Sequence, residues 1–193
     1  MTGFAGVSSA AQSSSSYTVH YGDTLWKIAA LNQVGLSEII KANPQISNPA
    51  MIYPGQVLNI PNLDSVKSFE AQVIQLTNTE RAKQGLSPLH ANWELSRMAR
   101  YKSQDMMNKD YFDHNSPTYG SPFDMMKEFG ISFSYAGENI AAGQTTPAQV
   151  VNGWMNSPGH RANILNPNYT QIGVGFAKGG SYGYYWTQEF ISN

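Results

Sequence analysis

The sequence predicts an α+β fold in which a small module precedes a medium-sized domain. Residues 17–61 read as strand, helix, helix and strand, in that order. Residues 68–193 read as several helices followed by two strands, without the strand–helix alternation that indicates a parallel sheet. A length of 193 residues accommodates both parts. Residues 62–67 are predicted to be the linker between them.

Two short β-type runs bound the first module. The first is residues 17–20, and the closing run, residues 57–60, stops at Pro61. Asp23 or Thr24 can cap the helix that follows the first run, because their side-chain oxygens can accept a backbone N–H of the first turn. A second helix follows before the closing run. The residues that form the apolar faces of the two helices are Leu25, Ile28, Ala29, Leu36, Ile39 and Ile40.

Helical spacing and capping residues place four helices in the second domain. Phe69, Val73 and Leu76 recur at helical intervals, and a second apolar stripe extends over residues 93–107. Ser121, followed by a proline, starts a short helix. The next helix begins at the Thr-Thr-Pro of residues 145–147 and carries the apolar residues Val150, Val151 and Trp154.

Two strands close the chain. Large apolar residues in the segment 172–177 alternate with Gly173, Gly175 and Ala177. A strand face made of small residues indicates that another element packs closely against it. Residues 178–183 form the predicted hairpin turn, and residues 184–191 form the return strand.

Composition excludes several classes of protein. The formal net charge is −1 and only 13% of the residues are charged, without a basic stripe, so nucleic acid is not expected as a partner. The chain has no cysteine, which excludes disulfides, iron–sulfur ligation, zinc-thiolate sites and a cysteine nucleophile.

The first sixteen residues are predicted to be a disordered, serine-rich segment, with a flexible run at residues 13–16. They lack the basic start and apolar core of an intact secretory signal, although they could be the remainder of one. No run of the sequence is long and apolar enough to span a membrane as a helix.

Residues 17–61 resemble a LysM module. The resemblance rests on Tyr-Thr-Val at 17–19, Gly-Asp-Thr-Leu-Trp at 22–26, Ala-Asn-Pro-Gln-Ile at 42–46 and Ile-Tyr-Pro-Gly-Gln-Val-Leu at 52–58. It implies a two-stranded antiparallel sheet with both helices on one side. It also implies binding of N-acetylglucosamine polymers, that is, peptidoglycan or a chitin-type glycan. The glycan-binding residues that it implies are Gly22, Asp23, Thr24, Leu25, Asn48, Pro49, Met51 and Ile52.

Residues 68–193 resemble the bacterial branch of the CAP (SCP-like) superfamily. Four motifs occur in the family's order: Asn-Thr-Glu-Arg at 78–81, Tyr-Phe-Asp-His-Asn at 111–115, Gly-Glu-Asn-Ile at 137–140 and Ser-Pro-Gly-His-Arg at 157–161. The resemblance implies a three-layer α-β-α sandwich with a surface cleft, in an exported protein.

The resemblance carries His114 and Glu138 over as cleft residues, each in a stretch that reads as a loop. His160 follows the break at Ser157-Pro158-Gly159, where a sharp reversal of the chain is expected. Two further family positions differ, because Ser157 stands where relatives have a glutamate and Asn168 where they have a histidine. The candidate site is therefore His114, Glu138 and His160.

Three interpretations of this site are open. Two imidazoles and one carboxylate could hold a divalent metal such as zinc, with an open fourth position for catalysis. Without a metal, Glu138 could orient one histidine while the other acts as general acid or base. In a structural interpretation, the same residues only tie loops together.

These observations lead to one leading hypothesis and two alternatives. The leading hypothesis is an extracellular protein of the cell wall or spore envelope, anchored on peptidoglycan and associated with wall or coat proteins. The first alternative is a metal-assisted or acid–base hydrolase of wall or peptide substrates. The second is a structural coat protein.

Overall fold

A computed structural model describes residues 14–193 of the chain. The chain divides into two compact units, one ending at Leu63 and the other beginning at Asp64. The first thirteen residues, which include most of the segment predicted to be disordered, lie outside the described residues.

The first unit is a βααβ module with its own core. Its elements are β1 (Ser15–Thr18), α1 (Leu25–Leu31), α2 (Leu36–Ala42) and β2 (Val57–Ile60). Strands β1 and β2 are antiparallel, with Tyr17 opposite Leu58. The buried Asn43 side chain donates to the carbonyls of Ile39 and Asn59 and accepts the Asn59 N–H, which ties the end of α2 to β2. The buried apolar residues are Val19, Leu25, Ile28, Ala29, Val34, Ile39, Leu58 and Ile60.

Strand β1 begins earlier than the sequence suggests. Ser15 and Ser16, assigned to the flexible serine run, pair with Ile60 and Asn59. Serine has little intrinsic preference for strands, so this pairing depends on the β2 backbone, which local composition does not reveal.

The second unit is a three-layer α-β-α sandwich. Its sheet has the order β3-β5-β6-β4, in which β3 is parallel to β5 and the other neighbours are antiparallel. Helix α4 covers one face of the sheet, and α3, α6 and α7 lie on the other. The elements are α3 (Asp64–Lys83), β3 (His90–Ala91), α4 (Trp93–Lys109), α5 (Pro122–Glu128), β4 (Tyr135–Ala142), α6 (Pro147–Met155), α7 (Pro158–Ile164), β5 (Gln171–Gly179) and β6 (Gly183–Ser192).

The two faces of β5 contact different helices, as the alternation of large and small residues predicts. Ile172, Val174 and Phe176 join the core that Val73 and Trp154 help to form. On the opposite face, a Cβ atom placed on Gly173 would lie 2.4 Å from the backbone carbon of Leu95 in α4, and one on Gly175 would lie 2.0 Å from that of Ala99. The glycines therefore allow the α4 backbone to lie directly on the strand.

A buried ion pair bridges α3 and α4 beside the edge of the sheet. Strand β3 has only two residues, so side chains serve the β5 backbone beyond it: Ser96 accepts the Val174 N–H at 3.0 Å and Glu70 accepts the Phe176 N–H at 3.2 Å. Arg100 donates to both oxygens of Glu70 at 2.8 and 2.7 Å. Side chains thus satisfy backbone groups that another strand would otherwise bond.

Several local predictions differ from the structure. Helix α3 begins at Asp64, so residues 64–67 of the predicted linker are helical. The stretch around Glu138 is strand β4 and not a loop. The sequence did not show this because buried polar residues interrupt the alternation of apolar and polar residues that indicates a strand. Pro158 and Gly159 begin helix α7, where proline suits the first turn, so His160 lies within a helix.

Candidate functional site

The first unit carries a groove of about 470 Å³ between its first turn and its long turn. Five of the predicted glycan-binding residues line it, namely Asp23, Thr24, Leu25, Pro49 and Ile52. Trp26, Leu36 and Ala50 also line it and were not predicted. The other predicted residues, Gly22, Asn48 and Met51, are not among the lining residues.

Hydrogen bonds hold the polar residues of this groove in place. Thr24 caps α1 by accepting the Lys27 N–H at 3.2 Å. The Asp23 carboxylate accepts the His20 N–H at 2.7 Å and the Tyr17 hydroxyl at 3.0 Å. The bond from His20 lowers the pKa of Asp23. The groove therefore presents a fixed, ionised carboxylate at neutral pH.

Trp26 is the largest side chain that lines the groove, and it is 55% exposed. An indole ring offers a flat apolar face and one N–H donor, which suits contact with a sugar ring. The sequence held a signal for this role. Trp26 lies on a short helix directly after the candidate capping residues, and it is outside the buried face formed by Leu25, Ile28 and Ala29.

A second opening, of about 320 Å³, lies in the second unit beside strand β4. His160 lines it from α7, together with Trp154 from α6 and Ile140 from β4. Two aromatic rings, Phe112 and Tyr182, contact each other there with centroids 6.1 Å apart. The remaining lining residues are Ala141, Ala142, Gln144, Val150, Gly153 and Ser157.

His114 and Glu138 form a hydrogen-bonded pair. His114 Nδ1 and Glu138 Oε1 are 2.6 Å apart, and their side chains are 51% and 2% exposed. The hydrogen bond to Glu138 raises the pKa of His114. A buried carboxylate that holds one imidazole nitrogen sets the orientation of the ring and favours its protonated form. Nε2 takes no part in this bond.

His160 lies close enough to His114 for their charges to interact. Burial lowers the pKa of His160, and the charge of His114 lowers it further. Helix α7 is held on β4 by Asn139, which donates to the His160 carbonyl at 3.1 Å, and by Asn163, which donates to the Glu138 carbonyl at 3.1 Å. These two asparagines brace α7 on the strand that carries Glu138.

Two buried residues behind the His114–Glu138 pair were not predicted. Glu189 lies directly opposite Glu138 in the β4–β6 ladder and is fully buried. Burial raises the pKa of Glu189 well above its ordinary value, and the neighbouring Glu138 adds to the rise. Lys102, on α4, is 1% exposed and donates to the His114 carbonyl at 2.6 Å. In the sequence, a buried lysine or glutamate cannot be told from one on a solvated helix face or strand edge. Only the fold shows that these two residues are buried.

The predicted metal set fits this arrangement poorly. Among the residues that the structure describes, no three histidine, aspartate or glutamate side chains form a group that could hold a metal ion. Glu138 Oε1 bonds His114 Nδ1, so this oxygen orients the imidazole.

A LysM-like module joined to a three-layer α-β-α domain defines the class of this protein. Residues 17–61 match the LysM domain family, and residues 74–190 match the family described as "CAP: Cysteine-rich secretory protein family". Since the second match alone covers more than half of the chain, the chain belongs to the CAP family, with a LysM domain before its CAP domain.

Similar proteins occur in Bacillus. "Uncharacterized protein YkwD" of Bacillus subtilis strain 168 is 65% identical over 127 residues, which are 66% of this chain and 48% of that protein. "Uncharacterized membrane protein YlbC" of the same strain is 33% identical over 171 residues, which are 86% of this chain and 47% of YlbC. The chain thus spans about half the length of these relatives.

One solved structure and two proteins matched over a shorter stretch are also similar to this chain. The crystal structure of an extracellular protein containing a SCP domain from Bacillus anthracis strain Ames has a TM-score of 0.61 at 34% identity, covering 72% of this chain and 47% of that one. SpoIVD-associated factor A of Bacillus subtilis and Spore coat assembly protein ExsA of Bacillus cereus are each 44% identical to this chain over 46 residues, which are 24% of this chain. The matched stretch is 12% of the first protein and 7% of the second.

No helix within residues 14–193 combines the length and apolar character that crossing a membrane requires.

Proposed function

We propose that this chain is an exported protein of the cell wall or spore envelope, which its LysM domain holds on peptidoglycan or a related N-acetylglucosamine polymer. The observation that carries the proposal is the groove of the first unit, with a fixed carboxylate at Asp23 beside the exposed ring of Trp26. The name of one relative, Spore coat assembly protein ExsA, and the extracellular SCP protein support this location and point to wall or coat proteins as further partners.

The chemistry of the groove suits an N-acetylated sugar. The Asp23 carboxylate can accept hydrogen bonds from amide N–H or hydroxyl groups. Pro49 and Ile52 offer apolar surface for acetyl methyl groups, and Trp26 offers a ring face for the sugar. A chitin-type oligomer presents the same groups, so both polymers belong in the binding test.

Trp26→Ala tests the anchor. We expect binding to purified peptidoglycan or chitin oligomers to weaken about 10–30-fold, because truncating a tryptophan at a binding hot spot costs about 2 kcal/mol. Tyr53→Ala is the matched control, since Tyr53 is also 55% exposed but does not line the groove. Equal losses in both variants, or undiminished binding by a chain without residues 17–61, would refute the proposal.

The CAP domain supports a second candidate function, acid–base hydrolysis of wall or peptide substrates. The observation that favours it is the His114–Glu138 pair, in which a buried carboxylate holds a half-exposed imidazole. Such a carboxylate fixes the ring and stabilises the imidazolium that forms when histidine accepts a proton. His160 offers a second imidazole whose lowered pKa keeps it neutral and able to act as a base.

Hydrolysis of purified wall fragments and peptides tests this function. Glu138→Gln and His114→Ala should each abolish activity, whereas His90→Ala, at an exposed histidine of β3, should retain it. Melting temperatures separate the outcomes. Loss of stability in the first two variants, together with no hydrolysis by the unmodified protein, would favour the structural interpretation.

A further inference from the structure

Lys102 is a buried lysine that the proposed functions leave unexplained. It lies on the face of α4 that packs on the sheet, and its side chain is among the largest that are fully buried. Its ammonium donates to the carbonyl of His114 at 2.6 Å and lies 5.3 Å from the centre of the Tyr111 ring. One lysine from the core therefore contacts the backbone of the loop residue that Glu138 holds by its side chain.

Burying a cation costs free energy that burying an apolar residue does not. A lysine at this position therefore calls for a role that an apolar residue cannot fill. Methionine would fill a similar volume, and α4 already places Met98 and Met106 in its buried face. Four carboxyl groups offset the burial: Glu138 from β4, Glu189 from β6, Asp105 from α4 and Asp113 from the loop. Burial lowers the pKa of Lys102, and these carboxyls act in the opposite direction.

His114 is held at two points by two different elements. Strand β4 holds the imidazole through Glu138, and α4 holds the carbonyl through Lys102. The loop has another attachment two residues later, where Ser116 donates to Asp105 at 2.6 Å. That bond secures the loop on α4 but does not act on His114. The Lys102 bond, by contrast, holds the backbone carbonyl of His114 itself.

We propose that Lys102 is a positioning residue for the His114–Glu138 pair: its buried ammonium fixes the His114 carbonyl and thereby keeps the imidazole on Glu138. The inference rests on the second candidate function, in which the His114–Glu138 pair is the reactive group. In this role Lys102 acts through His114.

Lys102→Met tests the proposal through the imidazole itself. The titration of His114 is followed by NMR of the ¹⁵N-labelled ring in the full chain, in buffer with a chelator. If Lys102 positions the ring, its removal weakens the bond to Glu138, and the titration midpoint falls, in the same direction as in Glu138→Gln. If Lys102 is only a neighbouring charge, its removal raises the midpoint, because the positive charge lowers the pKa of His114. A rise or an unchanged midpoint would overturn the proposal.

Restoring the ammonium provides the second test. The chain contains no cysteine, so Lys102→Cys creates a unique thiol. Alkylation of the unfolded chain with 2-bromoethylamine, followed by refolding, replaces the lysine by a thioether that ends in an ammonium. The high midpoint should return after this treatment and not after alkylation with iodoacetamide, which adds a neutral amide. Failure of the aminoethyl group to restore it would count against the proposal.

Two controls complete the design. Lys109→Met removes a half-exposed lysine from the same helix and should leave the His114 midpoint in place. If Lys102→Met does not fold, the double variant Lys102→Met and Glu189→Gln removes one buried acid together with the base, and the same titration is read. The ring titration reports on geometry whether or not the cleft hydrolyses anything, so failure of the inference and failure of the proposed hydrolysis are distinguishable.

Discussion

Gly175→Ala should strongly destabilise the second unit. The added Cβ would lie 2.0 Å from both the carbonyl carbon of Ala99 and the amide nitrogen of Arg100 in α4. Ordinary contact begins at 3.4 Å, so α4 and β5 would have to separate by about 1.4 Å. Both contacting groups are backbone, so no side-chain rotation can relieve the overlap. Separation would also strain the bond from Ser103 Oγ to the Gly175 carbonyl, now 3.0 Å.

Overpacking in a closed core usually costs about 1–3 kcal/mol, and a backbone clash of this size belongs at the upper end or above it. Urea unfolding of both proteins measures the change in free energy at equal slope. Gly153→Ala is the matched control, because that glycine lies within α6 and a Cβ there meets only a side-chain nitrogen at 4.0 Å. Helix preference predicts that this control stabilises by up to about 1 kcal/mol. A change below about 0.5 kcal/mol for Gly175→Ala would refute the packing argument.

Three further outcomes are expected. Arg100→Met should cost about 3–5 kcal/mol in unfolding free energy, because the buried Glu70 carboxylate loses its guanidinium, and adding Glu70→Gln should recover part of the loss in a double-mutant cycle. The raised pKa of His114 contributes stability below about pH 6.5 that is lost as the pH rises through the folded pKa. Glu138→Gln should therefore lower the free energy of unfolding more at pH 6 than at pH 9. The difference should be modest, because the His114 ring is half exposed. Thr146→Ala should cost about 1 kcal/mol by removing the cap of α6, whereas equal stability would show the cap to be dispensable.

Local signals predicted much of the fold. The cap predicted at Ser121 is confirmed, and the structure selects Thr24 from the pair Asp23 and Thr24 and Thr146 from residues 145–147. Each of these side chains accepts a backbone N–H in the first turn of its helix. The small face of β5 is confirmed by the closeness of α4 to Gly173 and Gly175. These features depend on residues close in sequence or on the absence of a side chain, so the chain shows them directly.

Strand β4 was missed for the opposite reason. Gly137, Glu138 and Asn139 have the composition of a turn, and nothing nearby in the sequence indicates their burial. Their partners come from distant segments: His114 bonds Glu138, and Asn163 bonds Asn139 at 2.9 Å. A polar residue becomes acceptable in a core only when such a partner is present, and partners that are far apart in sequence leave no periodic signal.

The sequence by itself determined the two families, the order of the helices and closing strands, and the histidines and glutamate that merit attention, because these reside in short motifs and local spacing. Only the tertiary structure decided that Glu138 holds His114 at 2.6 Å, that Trp26 lines the groove and that Lys102 and Glu189 lie behind the pair. Distances and burial arise when α4 and the strands pack together. The pKa of a side chain depends on those surroundings more than on its neighbours in sequence.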